Sequence, residues 1–503
     1  MSRKSLWLLT SLILAGTFLR LFRFDQTFLL ESDQAMAFLL ANRIINFGHI
    51  LLVGPNTSFY GVNLLPPVYY YIITLIYFFW RNEIGVTLIF TLIGIASIPL
   101  IYLLAKEMAF STKTALVAAF FYTFSFTLIK YSRNIWEPHL VPFFVILSYL
   151  FAFRAARFKK FKLFILSSIF FLISLMYVSS FLILPAYLVM VFWLLKKDRI
   201  NLRSNVFKFS FIFTFLLFLI YLSNLIFEIN NKWPSIKYIT EFPVTKTSQY
   251  STNLWNQFSA FIYSLFPWPN YLFLTILFSS LILSLVNIIQ NNRKIIILIL
   301  PVIFAMLLIG FYAKDAYPHR FAAIYPLFIL ILSSASVNLI NSRSRLIFRF
   351  LYNFSAVGVL VIFFSSNLKI YNRLIQRQGS KTIKATGEIA KFILNETGND
   401  SFSLYVSTPF NQTNYNNVPY IYLMEKYSRK PLYPLHTYGN WVDSQININT
   451  KWLFYICENL HDIQKANCLN SIKLNENLSV ISTFSFSLNK NIYKFKGSKL
   501  NYD

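Results

Sequence analysis

Long apolar stretches alternate with short, mainly basic segments over the first three quarters of this 503-residue chain. A helix needs about 20 predominantly apolar residues to cross a bilayer. Eleven stretches meet or approach that length: 5–22, 85–105, 114–130, 139–153, 162–178, 179–195, 207–227, 270–290, 295–312, 320–340 and 346–366. The pattern predicts a mostly α-helical polytopic membrane domain over residues 1–369, with about 11 transmembrane helices.

The stretch 64–80 is also apolar, but it begins with Pro66-Pro67 and contains three consecutive tyrosines. Lys and Arg accumulate on the cytoplasmic side of membrane proteins. If this stretch does not cross and the N-terminus is cytoplasmic, every dense basic cluster falls inside: 106–113, 154–162, 196–203, 293–294 and 343–345. We therefore expect an outer-face re-entrant or interfacial hairpin at 64–80, within a first outer loop of residues 23–84.

Composition supports a membrane protein and argues against nucleic acid as a partner. Hydrophobic residues make up 56% of the chain and charged residues 13%, far from the mixture of a soluble domain. The net charge is +27, but the Lys and Arg residues stand in short clusters between apolar runs. We expect a multi-pass protein of the cell membrane, with membrane lipids as partners and an uncleaved first span.

Residues 370–503 are more polar and predict a separate soluble α/β domain, which the topology places outside the cytoplasm. A helical pattern at 381–394 ends before Gly398, and strand-like runs follow at 401–406, 420–424 and 452–457. The two cysteines of the chain, Cys457 and Cys468, lie here. They could form a disulfide outside the cytoplasm; a buried, unpaired Cys457 is the alternative.

An acidic pair, Glu31 and Asp33, follows the first predicted span in a chain with only 19 acidic residues. One interpretation is structural: Ser32 is the N-cap of a helix, and Asp33 complements the helix dipole from the first turn. The other is a catalytic carboxylate at the outer membrane face. The apolar spacing from Asp33 to Phe47 predicts an interfacial helix.

Two further clusters, 130–139 and 314–320, combine acidic, basic and aromatic side chains beside predicted spans. Ionisable residues in such places are functional candidates. Arg133 and Arg320 carry planar guanidinium groups, which match the oxygens of a phosphate. The alternative for both arginines is a structural role at the end of a span.

The order of these motifs resembles that of the GT-C membrane glycosyltransferases, in particular the branch of protein O-mannosyltransferases and lipid A aminoarabinose transferases. The resemblance covers about residues 5–340. It rests on the outer-loop acidic motif, Pro-Pro-Val-Tyr-Tyr-Tyr at 66–71, Tyr-Ser-Arg-x-x-x-Glu at 131–137 and Pro-His-Arg-Phe-x-x-x-Tyr-Pro at 318–326. The usual Asp-Glu of the family reads Asp33-Gln34 here, with Glu31 two residues earlier.

The resemblance implies transfer of a hexosyl or pentosyl group from a polyprenyl-phosphate-linked sugar to a glycan, lipid or protein acceptor at the outer membrane face. Asp33 matches the catalytic position and can accept the proton of an acceptor hydroxyl, with Glu31 beside it. Cationic side chains can stabilise the departing phosphate. We expect substrate contacts from Tyr70, Arg133, Glu137, His139, His319 and Arg320.

The cofactor requirement stays open. Glu31, Asp33 and Glu137 could supply hard oxygen ligands for a divalent metal, whereas the resemblance implies that the mannosyltransferase branch works without one. The competing function is a transporter or flippase of lipid-linked sugars. Transporters commonly show internal repeats and mid-membrane charges. No internal repeat is visible here, and spans such as 162–195 and 270–312 carry almost no charged residues. A structural scaffold would leave the acidic pair unexplained.

Overall fold

The structure is a computed structural model of the chain. It describes residues 2–28, 30–55, 65–197, 202–235, 237, 250–267, 295–312, 317–340, 346–376, 383–398, 400, 402–407, 417–428, 452–457, 480–486 and 490–496. The chain divides into two compact units. The first consists of Met1–Phe24, Val53–Tyr69 and Gly85–Gln376; the second consists of Asp25–Leu52, Tyr70–Ile84 and Arg377–Asp503.

Helices account for most of the described residues before 377. In chain order they are α1 (Arg3–Leu21), α2 (Phe24–Thr27), α3 (Ser32–Phe47), α4 (Val68–Trp80), α5 (Glu83–Glu107), α6 (Thr112–Phe124), α7 (Phe126–Ser132), α8 (Glu137–Phe158), α9 (Phe161–Ser174), α10 (Val178–Lys197), α11 (Leu202–Asn230), α12 (Tyr250–Leu265), α13 (Ile296–Tyr312), α14 (Tyr325–Ile340) and α15 (Leu346–Gln376). A 3₁₀ turn, Pro318–Phe321, precedes α14.

Among the described helices, α1, α5, α8, α10 and α11 are long and apolar enough to cross a membrane. Helices α6 and α7 form a further candidate span, bent by 63° between them. Helices α9, α13 and α14 lie where spans are predicted but are shorter apolar helices. The predicted span 270–290 lies outside the described residues. The mostly helical polytopic fold is confirmed, while the number of spans stays a prediction.

The predicted span 114–130 is broken at Ser125, which adopts an extended conformation (φ −64°, ψ 115°) between α6 and α7. A helix end in apolar surroundings leaves carbonyl groups that need new donors. Arg20, fully buried in α1, donates to the carbonyl oxygens of Tyr122 and Thr123, both at 3.3 Å. The buried arginine therefore closes the end of α6.

The expected hairpin at 64–80 is wrong, because Val68–Trp80 is one continuous helix, α4. Pro66 and Pro67 stand directly before its first residue, where proline is tolerated because no backbone N–H is needed. No glycine or proline follows before Trp80 to reverse the chain. A helix of 13 residues extends about 20 Å, less than the roughly 30 Å of a hydrocarbon core. A non-crossing α4 stays our prediction.

Helix α3 carries the acidic pair at its start. Glu31 occupies the N-cap without a side-chain capping hydrogen bond, so the interpretation of Ser32 as the N-cap is wrong. Asp33 lies in the first turn, where a carboxylate complements the helix dipole. The helix ends before Gly48, whose positive φ of 65° is the left-handed conformation that glycine adopts without strain.

The surroundings of α3 differ from the expectation of an interfacial helix. Such a helix keeps one polar face in contact with water or headgroups. Every residue from Gln34 to Arg43 is buried, including the polar Asn42. The apolar stripe was recognised correctly, but the polar positions between its members are also covered by protein.

The C-terminal residues form α16 (Ile383–Thr397), α17 (Val418–Ser428) and a four-stranded sheet of β1 (Phe402–Ser407), β2 (Trp452–Cys457), β3 (Val480–Phe486) and β4 (Lys490–Lys496). The strand order is β1-β2-β4-β3. Strand β1 runs parallel to β2, and β4 runs antiparallel to both β2 and β3. An α/β arrangement was expected here.

Two details of this region bear on the sequence expectations. The predicted strand 420–424 is wrong, since these residues belong to α17. Tyr420 to Met424 have the apolar, aromatic composition of a strand, but the helix buries all of them. Cys457, buried at the end of β2, is disulfide-bonded, so the unpaired alternative is wrong. Cys468 lies outside the described residues.

The close approach of α5 to α7 gives a test of the fold. A Cβ atom added to Gly94 would lie 2.3 Å from Cβ of Ser132, so Gly94→Ala should lower the melting temperature. Gly358→Ala is the matched control, because nothing lies within 4 Å of its added Cβ. Removing a helical glycine there should leave stability unchanged or raise it by up to about 1 kcal/mol. Equal melting temperatures for the two variants would contradict this packing.

Candidate active site

Arg133 makes its contacts inside the protein. Its guanidinium donates to the carbonyl oxygens of Leu19 at 3.1 Å, Arg20 at 3.0 Å and Arg23 at 3.2 Å. These carbonyls lie at and just after the C-terminus of α1, where a cation satisfies open acceptors and complements the helix dipole. The contacts support the structural alternative for Arg133 over the expected contact with a lipid phosphate.

His139, His319 and Arg320 lie together in the first unit, around Trp136. The Trp136 ring is 4.5 Å from the His319 ring and 5.6 Å from the His139 ring, measured between centroids. Tyr317 stacks on His319 at 5.3 Å, and the guanidinium of Arg320 lies 5.2 Å from the Tyr317 ring. We call these five residues the Trp136 cluster.

Two local features hold this cluster in place. Trp136 is the N-cap of α8, and the 3₁₀ turn begins at Pro318. The Tyr325 hydroxyl lies 2.8 Å from both the Pro318 carbonyl oxygen and Ser264 Oγ, and it donates in the first contact. Tyr325 therefore ties the turn to the end of α12.

His319 is the imidazole of the cluster that lies beside cations. Burial, and then the charges of Arg320 and Lys130, lower the pKa of His319 to about 3. The Nδ1 atom of His139 lies 2.8 Å from the carbonyl oxygen of Asn134, so Nδ1 donates and Nε2 of the neutral ring is an acceptor. The positive charge of the site thus comes from Arg320 and Lys130.

Lys130 is the cation that sequence reasoning did not single out. It is the first residue of the cluster 130–139. Its side chain is exposed, whereas its neighbours Ile129 and Tyr131 are buried. The feature that could have identified Lys130 as a candidate is its position three residues before Arg133, at the end of α7. Once Arg133 is assigned to the end of α1, Lys130 is the exposed cation of that cluster.

Glu137 lies in the first turn of α8 and is 8% exposed. An acid in this place complements the helix dipole, and Pro138 directly after it is also typical of a helix start. Its position is compatible with a structural role. The expected substrate contact of Glu137 stays a prediction.

The expected residues of the second unit lie at the ends of two helices. Glu31 is exposed and Asp33 is half-buried, at the start of α3. Tyr70 is buried in the first turn of α4. Its neighbour Tyr71 fixes the chain before α4, because its hydroxyl donates to the Leu51 carbonyl oxygen at 3.0 Å.

The second unit also holds two buried acids that sequence reasoning missed. Glu425 accepts two hydrogen bonds from Arg43, at 2.6 and 3.0 Å. Glu83 accepts from the Tyr422 hydroxyl and from Lys426 Nζ, the latter at 2.6 Å. Glu425 and Arg43 are separated by 382 positions, so no local pattern could have paired them.

The possible metal ligands do not form a site in the described part of the chain. There, no three His, Cys, Asp or Glu side chains come together in a way that could hold a metal ion.

Comparison with known proteins gives one partial family match. Residues 65–226 match the family profile described as dolichyl-phosphate-mannose-protein mannosyltransferase. No curated protein sequence matches the chain. The matched range includes α4 to α10 and most of α11, and it contains Lys130, Trp136 and His139.

Solved structures show the same fold. ArnT from Cupriavidus metallidurans in the apo state superimposes with a TM-score of 0.62 at 12% identity, covering 98% of each chain. ArnT bound to undecaprenyl phosphate gives 0.61 at 13% identity, with the same coverage. The archaeal oligosaccharyltransferase AglB from Archaeoglobus fulgidus, in complex with an inhibitory peptide and a dolichol-phosphate, gives 0.53 at 11% identity, covering 90% of this chain and 69% of that one. The GT-C-like fold is confirmed.

The assignment of Arg133 predicts a stability effect. Arg133→Ala removes the donor to three carbonyl oxygens, and should destabilise the protein by at least about 1 to 3 kcal/mol, the cost of leaving a buried polar group unsatisfied. Lys130→Ala is the control and should melt like the wild type, because its side chain is exposed. Thermal unfolding in detergent measures both. A wild-type melting temperature for Arg133→Ala would contradict the structural assignment.

Proposed function

We propose that this protein is a glycosyltransferase that moves a sugar from a polyprenyl-phosphate-linked donor to an acceptor. The observation that carries the proposal is the Trp136 cluster, where Arg320 stands among aromatic rings and two imidazoles, and the charge of Lys130 acts on His319. Support comes from the mannosyltransferase family match and from the likeness to ArnT bound to undecaprenyl phosphate.

The chemistry of the donor fits this arrangement. Transfer breaks the bond between the anomeric carbon and a phosphate oxygen, so negative charge develops on the leaving phosphate. Fixed cations that face this charge lower the barrier. Arg320 can present two parallel N–H donors to the phosphate oxygens, and Lys130 can add a point charge. The imidazoles beside these cations can each hydrogen-bond a sugar hydroxyl.

The acceptor hydroxyl needs a base, and we assign that role to Asp33. Its oxygen takes the proton while the acceptor oxygen forms the new bond to the anomeric carbon. Asp33 is half-buried in the first turn of α3. The next residue is Gln34, at the position where the family that this chain resembles has a glutamate. Glu31, exposed at the N-cap, is the neighbouring acid that we expect to act on the orientation of this turn rather than on the substrate.

We place the reaction at the outer membrane face, with a cytoplasmic N-terminus and an extracytoplasmic C-terminal domain. The basis is the positive-inside rule, applied to the clusters 154–162 and 196–203. A disulfide at Cys457 is consistent with an oxidising compartment. The acceptor belongs to the glycans, lipids or proteins that are reachable from that face.

The first test of the function concerns Arg320. Purified protein in detergent should release free polyprenyl phosphate from a polyprenyl-phosphate-linked sugar when an acceptor is offered. Arg320→Lys should slow this release by roughly one to two decades, since a lost charge-assisted contact is worth about 1.5 to 3 kcal/mol. Arg157→Lys is a matched control, because Arg157 is exposed and pairs with Glu107 at 3.2 Å. Wild-type rates for both Arg320→Lys and Arg320→Ala would rule out a phosphate contact.

The second test separates the two acids of α3. Asp33→Asn keeps the shape of the side chain but removes the basic oxygen, so turnover at saturating donor should fall by about two to four decades. Glu31→Gln should cost less, and both variants should melt within a few degrees of the wild type. If Glu31→Gln is inactive while Asp33→Asn turns over normally, the two roles are reversed. If both turn over normally, the base lies elsewhere.

A further inference from the structure

One face of α17 carries three side chains that contact the first-loop segments of the second unit. Tyr422, Glu425 and Lys426 are spaced i, i+3 and i+4, so they project from the same side of the helix. Glu425 holds Arg43 of α3 through two hydrogen bonds, with side-chain exposures of 0% and 5%. Tyr422 and Lys426 both donate to Glu83, the first residue of α5.

Aromatic packing accompanies these polar contacts. The Phe38 ring of α3 lies 5.6 Å from the ring of Tyr422 and 5.7 Å from that of Tyr77 in α4. The hydroxyls of Tyr77 and Tyr422 are 3.2 Å apart. Helix α17 therefore touches α3, α4 and the start of α5 through the buried Tyr422 and Glu425 and the partly exposed Lys426.

The ion pair is a costly way to achieve stability alone. Two charges that are removed from water lose hydration, and their attraction repays this loss only when geometry and hydrogen bonding are good. Apolar residues of similar volume at the same places would often be equally stable. What the bidentate pair adds is direction, because a planar guanidinium and a carboxylate fix both the distance and the angle between two helices.

We propose that α17 is a positioning element for the α3 helix that carries Asp33, and that Arg43 and Glu425 are positioning residues for the transfer reaction. The proposal rests on the proposed function of Asp33. Arg43 lies ten residues after Asp33 in the same helix. Fixing the C-terminal half of α3 to α17 fixes the direction in which its first turn points. The C-terminal domain is then part of the catalytic apparatus without contacting substrate.

The experiment compares three variants in the full-length protein. Glu425→Leu leaves Arg43 as a buried charge and should unfold at a lower temperature. Arg43→Met combined with Glu425→Leu replaces both charges by apolar groups and should recover most of the lost melting temperature. Glu396→Gln is the control, because its pair with Lys494 at 2.8 Å lies on α16 and β4 and is partly exposed.

Positioning predicts a specific kinetic pattern for the stable double variant. Its kcat should fall by about one to two decades, as for a catalytic group displaced by about 1 Å, while the KM for the lipid-linked donor stays within about twofold. Glu396→Gln should retain both constants. Full recovery of both melting temperature and kcat in the double variant would overturn the proposal, because the pair would then act on stability alone.

A second readout does not depend on activity. Amide hydrogen exchange of a peptide covering residues 30–43 should be faster in the double variant than in the wild type, whereas exchange in α16 should be unchanged. Unchanged exchange at 30–43 would overturn the positioning role. If the wild type transfers no sugar, the proposed function fails, and the exchange result alone then decides whether α17 orders α3.

Discussion

Backbone carbonyl groups at interrupted helices must find donors inside this protein, and the first unit is arranged around that constraint. In apolar surroundings a carbonyl group without a hydrogen-bond donor costs several kcal/mol. Two or three such groups would cost about as much as the whole folding free energy of a small domain. Arg20 of α1 closes the end of α6, and Arg133 after α7 closes the end of α1. The two arginines thus connect the C-terminal ends of α1, α6 and α7.

The same constraint determines which cationic side chains are not used to close helix ends. The guanidinium of Arg133 is directed to the carbonyl oxygens at the end of α1, so its hydrogen bonds are made within the protein. Lys130 is exposed on α7, and Arg320 lies on a turn fixed by Tyr325. Burial, and then the charges of both side chains, lower the pKa of His319. The segment after the break at Ser125 thus carries a structural arginine and, three residues before it, an exposed lysine.

The sequence predicted what depends on local patterns. Apolar runs located α1, α5, α8, α10 and α11, and the spacing from Asp33 to Phe47 located α3. The errors came where tertiary contacts decide. Residues 420–424 look like a strand by composition, but the contacts of Tyr422 and Glu425 with α3 and α5 favour a helix. The role of Arg133 could not be read from its motif, because its acceptors lie more than 100 positions earlier in the chain.

Reconstitution into proteoliposomes tests the central claim most directly, because it separates transfer from transport. Vesicles carrying a polyprenyl-phosphate-linked sugar would receive an acceptor on one side. Mass spectrometry would identify the lipid products, and accessibility of the sugar to periodate would show which leaflet holds the lipid-linked sugar. Our account predicts free polyprenyl phosphate together with an acceptor heavier by one sugar, and loss of both products in Asp33→Asn. Movement of the intact lipid-linked sugar between leaflets, with no free polyprenyl phosphate formed, would contradict it.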